Sequence, residues 1–346
     1  MSVPTLKELG AIVRAAEIVS PTQLRFAGRP FQAPPQQPAA PRPGQPPKAQ
    51  QAGPPPVVTL LQNTLYQYCY VRPFTGAAVD PPYQAAEGDE LTAALSRANA
   101  GRERWEAGWS IEQILPSGQI LAKRYDARRF LWPGEFVSRD GPGIQPRPGL
   151  QVSVFLPRES ATMQPGFHFV FGEAVADQGD ELDLVRLYWN VTADGAPVLT
   201  NALTTALNRF AVPFRFKTLS HRAAYGRTDS AVLYVSRRYF RIAAELVVEA
   251  VLPALAGVLG SGTPLFSKRL APGVGLAEDP RSGESFGMSR CRLLAEAVWH
   301  AGARGVHDHE ARLRFVVEYF QKRGCDLKQP YLNPGSVDRY ELPVLV

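Results

Sequence analysis

Several signatures that would point to a function class are scarce or missing. Of the 346 residues only three are cysteine (Cys69, Cys291, Cys325), and their spacing excludes a disulfide framework, a zinc knuckle and a redox pair two residues apart. Histidine is sparse too, with five in the chain. The one close pair, His307 and His309, brackets Asp308 at an expected helix start, where the aspartate suits an N-cap better than the pair suits a metal. The longest apolar stretch, Ala243–Leu259, is interrupted by Glu245, Glu249 and Pro253, so nothing here spans a membrane. Residues 1–20 lack a basic start followed by an apolar block, which argues against a signal peptide and predicts a cytoplasmic protein. No GxxxxGKS/T loop occurs, and Ala271-Pro272-Gly273-Val274-Gly275 lacks the third glycine of a dinucleotide loop. Gly283-Glu284-Ser285-Phe286-Gly287 matches the serine-nucleophile string, but it precedes a helix instead of following a buried strand. Ser285 is therefore expected to hydrogen-bond the helix start.

What is present is a foldable chain. Hydrophobic residues make up 45% and charged residues 20%, enough for a sizeable core at roughly 150 residues per domain. The net charge of +6 makes anionic partners plausible but is too dilute over this length to choose among them. The basic–aromatic cluster Arg237-Arg238-Tyr239-Phe240-Arg241 opens an apolar helix and reads as a solvated face, so nucleic acid is an improbable partner.

Hydrophobic periodicity divides the chain into three parts. Residues 1–27 hold a short amphipathic helix over Thr5–Val19. Residues 28–56 are a flexible linker, with eleven prolines between Pro30 and Pro56 and almost nothing apolar. Residues 57–346 form one large α+β domain, a mixed or antiparallel sheet flanked by helices. Within it, helices are expected from Leu60 to Tyr70 and over Asp89–Arg104. A hairpin turns at Pro116-Ser117-Gly118, and Phe130–Arg147 reads as loop. Strands follow at Val152–Leu156, Phe167–Phe171, Leu184–Asn190, Phe214–Leu219 and Asp229–Ser236. Helices cover Val198–Phe210, Arg237–Leu259, Ser289–Ala301 and Asp308–Arg323, and the Gly/Pro-rich Thr263–Gly287 reads as irregular.

A set of cations falls at strand ends and loop starts, where functional side chains gather. Arg186 alternates with apolar residues in LVRLYWN; Lys217 ends PFRFK; Arg227 and Asp229 open the next strand. Lys268 and Arg269 lie in FSKRLAPG, and Arg290 begins the helix after GESFG. At these residues the chain resembles the HopA-type family, named after a type III secretion effector of plant-pathogenic bacteria. The resemblance runs from about Leu60 to Tyr340 through LYQYCYVR, LSRANAGRERWEAGW, GFHFVFGEA, VRLYWNV, VPFRFKTL and YGRTDSAVLYV. Its most specific stretch is TPLFSKRLAPGVGLAEDPRSGESFGMSRCRLLAEA.

The resemblance implies a phosphoserine/phosphothreonine lyase of lanthipeptide and thioamide peptide biosynthesis. Such a lyase acts beside a kinase of aminoglycoside-phosphotransferase type that phosphorylates the precursor peptide. It eliminates phosphate to leave a dehydroamino acid. That carbon–oxygen cleavage needs a base for the Cα proton and cations for the leaving phosphate, and it needs no metal or organic cofactor. On this reading Lys217 or Lys268 is the base, Lys217 being ranked first because a strand end holds a side chain more rigidly. Arg186, Arg227, Arg269 and Arg290 form the phosphate pocket, and Asn190 and Asp229 orient them. His221 reads as an exposed loop histidine rather than a general acid. The alternative is a non-catalytic, effector-like module that binds a peptide or protein.

Overall fold

The last two helices of the chain begin where a side chain accepts a free backbone N–H group, and several strands appear where apolar residues alternate. The computed structural model describes residues 6–35, 54–80, 91–141 and 143–344; the expected linker at 36–53 and the expected helix start at Asp89 lie outside the described residues. In chain order the elements begin with α1 (Leu6–Ala15), β1 (Ala16–Ser20), β2 (Gln23–Phe26), β3 (Arg29–Gln32) and α2 (Pro56–Leu65), which runs into a π-helical turn, Tyr66–Tyr70. Next come α3 (Thr92–Ala98), β4 (Arg104–Ile114), β5 (Ile120–Arg124), β6 (Ala127–Leu131), β7 (Phe136–Ser138), β8 (Gln151–Leu156), β9 (Glu159–Ser160) and β10 (Phe167–Phe171). After α4 (Gln178–Leu182) follow β11 (Leu184–Trp189), α5 (Gly195–Arg209), β12 (Phe214–Leu219), β13 (Ala231–Ser236), α6 (Phe240–Leu246) and α7 (Leu252–Ala254). The last are β14 (Lys268–Ala271), β15 (Val274–Glu278), α8 (Phe286–Ala303) and α9 (His309–Lys322). This is the expected α+β class with antiparallel sheets, and none of the described helices is long and apolar enough to cross a membrane.

The chain divides into two compact units. The first comprises Met1–Gln84, Arg227–Asp229 and Ser261–Arg339. Here β1, β2 and β3 form an antiparallel meander, three strands where the sequence predicts only the tail of a helix and the start of a linker. Helix α2 packs on α8, and α8 and α1 both pack on α9. Ser285 caps α8 by accepting from the Met288 N–H at 3.2 Å, as expected, and Asp308 caps α9 by accepting from the Ala311 N–H at 2.8 Å. The segment Thr263–Gly287 is not irregular throughout, because β14 and β15 pair there as an antiparallel hairpin whose second strand is buried along its whole length. The first turn of α8 lies against the Tyr70 ring, and a Cβ at Gly287 would overlap that ring.

The second unit comprises Ala85–Gly226, Ser230–Gly260 and Tyr340–Val346. Its first sheet has the order β6-β5-β4-β8-β7 and encloses Trp109, Ile111, Ile120, Leu131, Val152 and Val154. The β4–β5 hairpin turns at the expected Pro116–Gly118, with Gly118 at φ +86°. Strands β6 and β7 occupy part of the stretch expected to be loop, and the expected helix ending at Arg104 stops instead at Ala98, since Arg104 starts β4. The second sheet carries β11-β13-β12-β10-β9, every pairing antiparallel. The long helix expected over Arg237–Leu259 is broken into a 3-10 turn, α6, a π-helical turn at Val247–Val251 and α7, where Pro253 withholds a donor.

A register shift in β4 between Glu106 and Trp109 turns the Glu106 carboxylate toward three donors. Arg124 Nη1 lies at 2.7 Å, Arg104 Nη2 at 3.1 Å, and Trp109 Nε1 donates at 3.2 Å. Burial opposes the charge, but the two arginines and the indole outweigh it and hold the Glu106 carboxyl below its usual 4.5.

Two outcomes are expected. Gly287→Ala lowers unfolding stability by about 2 kcal/mol in urea titrations, the cost of overpacking against a ring that has no room to move. Glu106→Gln costs about 2 kcal/mol at neutral pH. Because the folded carboxyl is the stronger acid, its contribution is complete above pH 4.5 and is lost as pH falls through the lower folded value. The substitution therefore flattens the acid limb of a stability–pH profile.

Candidate functional site

The pleat of the second unit's second sheet sorts its side chains into two sets. On one side Val185, Leu187, Trp189, Leu233, Val235 and Phe216 are fully buried. The residues between them point the other way. Arg186 lies opposite Tyr234, Tyr234 opposite Arg215, and Lys217 opposite Phe169. The Arg186 and Arg215 guanidiniums stand 5.3 and 5.0 Å from the Tyr234 ring centre. The Lys217 ammonium stands 4.3 Å from the Phe167 ring and 5.7 Å from Phe169, and it donates to Gln164 Oε1 at 3.1 Å. Three cations thus lie on one face of β11 and β12, the two strands that flank β13, on an aromatic bed that fixes them by cation–π contact. Arg186 and Lys217, expected in the site, are brought to this face. Arg215, Tyr234 and Gln164 were missed, although the i, i+2 spacing of Arg215 and Lys217 on a strand already places both on one face. Asn190 follows β11; its carbonyl accepts from the Gly260 N–H at 2.7 Å, and its side chain fills the space a Cβ at Gly260 would need. His221 is not exposed as predicted: it is 6% accessible, just beyond β12.

The remaining expected residues belong to the first unit, where most hold the structure together. Arg227 grips Asp229 with two bonds, Nε to Oδ1 at 2.8 Å and Nη2 to Oδ2 at 3.0 Å, and donates to the Tyr66 hydroxyl at 3.1 Å. Burial works against the Arg227 charge, but Asp229 more than offsets it and raises the guanidinium above its ordinary value. Asp229 is therefore the counter-ion of Arg227, and it orients this one arginine. Lys268 Nζ meets Asp338 Oδ2 at 2.5 Å, and the Tyr331 hydroxyl donates to the same oxygen at 2.8 Å. Burial and Asp338 together push the Tyr331 phenol up. Arg290, 4% accessible, donates to the carbonyls of Pro330 at 2.7 Å and Leu332 at 2.9 Å and lies over Phe286. Those bonds clamp the C-terminal segment onto α8. Arg269 is half-buried on β14 opposite Gly275.

The model of the HopA1 effector protein family matches residues 158–332, half of the chain, and the chain belongs to that family. Two solved structures are similar to it. The effector protein from Pseudomonas syringae pv. tomato strain DC3000 is 25% identical over 50% of this chain and 66% of that one, just under two thirds, with a TM-score of 0.36. The effector protein from Pseudomonas syringae pv. syringae strain 61 is 20% identical over 78% of this chain and 88% of that one, with a TM-score of 0.40. No curated protein matches.

The Arg227–Asp229 pair is buried enough to be tested alone, its side chains being 23% and 8% accessible. Asp229→Ala, which leaves the guanidinium without its counter-ion, is expected to cost about 3 kcal/mol, and replacing both partners with apolar residues to recover most of that loss. Equilibrium denaturation of the single and double variants measures it.

Proposed function

We propose that the chain is a phosphoserine/phosphothreonine lyase acting on a phosphorylated peptide, with Lys217 as the base and Arg215 and Arg186 as the phosphate-binding pair. One observation carries this reading: a lysine and two arginines lie on one face of β12 and β11, on either side of β13, and are braced by aromatic rings. A neutral Lys217 amine takes the Cα proton. The electron pair left on Cα forms the Cα=Cβ double bond as the Cβ–O bond breaks, and phosphate departs with the bridging oxygen. Two guanidiniums suit the charge that builds on the leaving group, each offering charge-assisted hydrogen bonds worth roughly 1.5–3 kcal/mol. The substrate is the product of a separate kinase of aminoglycoside-phosphotransferase type acting on a precursor peptide. Lys268, committed to Asp338, is assigned a structural role.

A second reading, a non-catalytic peptide-binding module, is favoured by the cations already engaged in structural contacts: Arg227 on Asp229, Lys268 on Asp338, and Arg290 on two carbonyls. Mass spectrometry of a phosphothreonine peptide incubated with the full chain separates the two. The lyase removes about 98 Da as phosphoric acid, whereas hydrolysis would remove about 80 Da. Lys217→Ala is expected to slow elimination by about 100-fold or more, and Lys268→Ala to leave the rate near wild type while lowering stability. The wild-type rate should rise with pH as the lysine loses its proton, and that rise should vanish in Lys217→Ala. If the cognate kinase and its peptide are present and no mass is lost, the binding module is the better reading.

A further inference from the structure

Arg72 takes part in none of the contacts described so far. It follows the π-helical turn Tyr66–Tyr70, a local widening of the helix that is frequent at functional sites. The backbone there is fastened to the segment that carries Arg227: the Thr228 N–H donates to the Val71 carbonyl at 2.8 Å, and Thr228 Oγ1 to the Tyr70 carbonyl at 3.3 Å. These bonds bring the residues next to them, Arg72 and Arg227, into one neighbourhood of the first unit. Arg227 is fixed in turn by Asp229 and by the Tyr66 hydroxyl, whose ring stacks on Tyr70 at 5.1 Å.

The two guanidiniums are unequally satisfied. Arg227 has its own carboxylate and uses Nε and Nη2 to hold it, with no bond drawn from Nη1 among the described residues. Among the described residues Arg72 has no carboxylate partner, and its buried Nε has no hydrogen-bond partner. A buried donor left without an acceptor is costly, and two like charges held together add to that cost. Burial and the neighbouring Arg227 charge accordingly lower the Arg72 guanidinium from its ordinary value. Two arginines brought into one neighbourhood, one with no acceptor for its Nε among the described residues, suit an external anion with several acceptor oxygens.

We propose that Arg72 and Arg227 form an oxyanion site in the first unit that binds a phosphate group. Asp229 and Tyr66 are positioning residues that hold Arg227 in place. Arg72 supplies the uncompensated charge and the unfilled donor. The proposal does not depend on the lyase reading, because it concerns different residues in a different unit and requires binding alone. The phosphate could come from a phosphorylated peptide residue or from the free ion, and the chemistry that recognises both is the same.

Arginine-selective modification of the full chain with phenylglyoxal, mapped by mass spectrometry, reads the site residue by residue. Inorganic phosphate is expected to slow modification of Arg72 about tenfold, with sodium chloride at equal ionic strength having little effect. Arg227→Lys keeps a charge beside Asp229 but removes the fork, and should reduce the protection of Arg72. A phosphothreonine peptide that protects Arg72 at lower concentration than inorganic phosphate assigns the site to a phosphorylated residue. Protection by inorganic phosphate alone assigns it to the free ion. An Arg72 rate unchanged by either probe overturns the proposal, and the rate at Arg215, recorded in the same experiment, reports the second unit's sheet separately.

Discussion

The two-residue period of the β-strand is the constraint on which the candidate site rests. In β11 and β12 the cations Arg186, Arg215 and Lys217 alternate with core residues, and in β13 Tyr234 alternates with Leu233 and Val235, so neither set can move without the other. Leu187, Leu233 and Phe216 are fully buried, and their burial obliges Arg186, Tyr234, Arg215 and Lys217 to project from the opposite face. A one-residue slip would drive three cations into the core. Burying even one unpaired charge costs more than a typical domain can offset. Register is thereby fixed by the hydrophobic set, and the charged set inherits its alignment across the strands.

The same residue type does different work depending on what the fold places beside it. Arg290 is buried against carbonyl oxygens and serves as a clamp; Arg227 is gripped by a carboxylate; Arg186 and Arg215 lie on a tyrosine ring. Stacking on a ring engages the face of the guanidinium and directs its in-plane N–H groups elsewhere. A carboxylate partner takes those N–H groups directly. A ring and a carboxylate thus engage different parts of one guanidinium, its face and its edge.

Much of the architecture was legible because strong local signals agreed with the final packing. Phe167–Phe171 and Phe214–Leu219 are strands over the expected residues, and Asp308 and Ser285 cap the helices that their positions suggested. The misses share a physical cause. In β15, Val274–Glu278, the buried run includes a glycine and follows Pro272-Gly273, a composition that reads as loop although every residue of the strand is covered. The strands β2 and β3 are four residues each, too short for alternation to stand out beside a proline-rich stretch. The helix after β13 kept its apolar period while its hydrogen bonding changed to a π-helical turn, which periodicity does not register.

The site was less legible than the fold because convergence is a tertiary property. Eight residues were named from their places at strand ends and loop starts, and the sequence had no means of separating those in the first unit from those in the second. What it did contain was the alternation Arg215-Phe216-Lys217, which puts two cations on one strand face wherever that strand lies. It also held YQYCYVR, an aromatic run ending in Arg72. In both places a cation follows a residue whose burial is certain, and the buried neighbour sets the direction in which the charge must point. Burial of the apolar partner is thus a firmer guide to a charged site than the charge itself, because the hydrophobic set is constrained from several sides and the cation follows from its position in the chain.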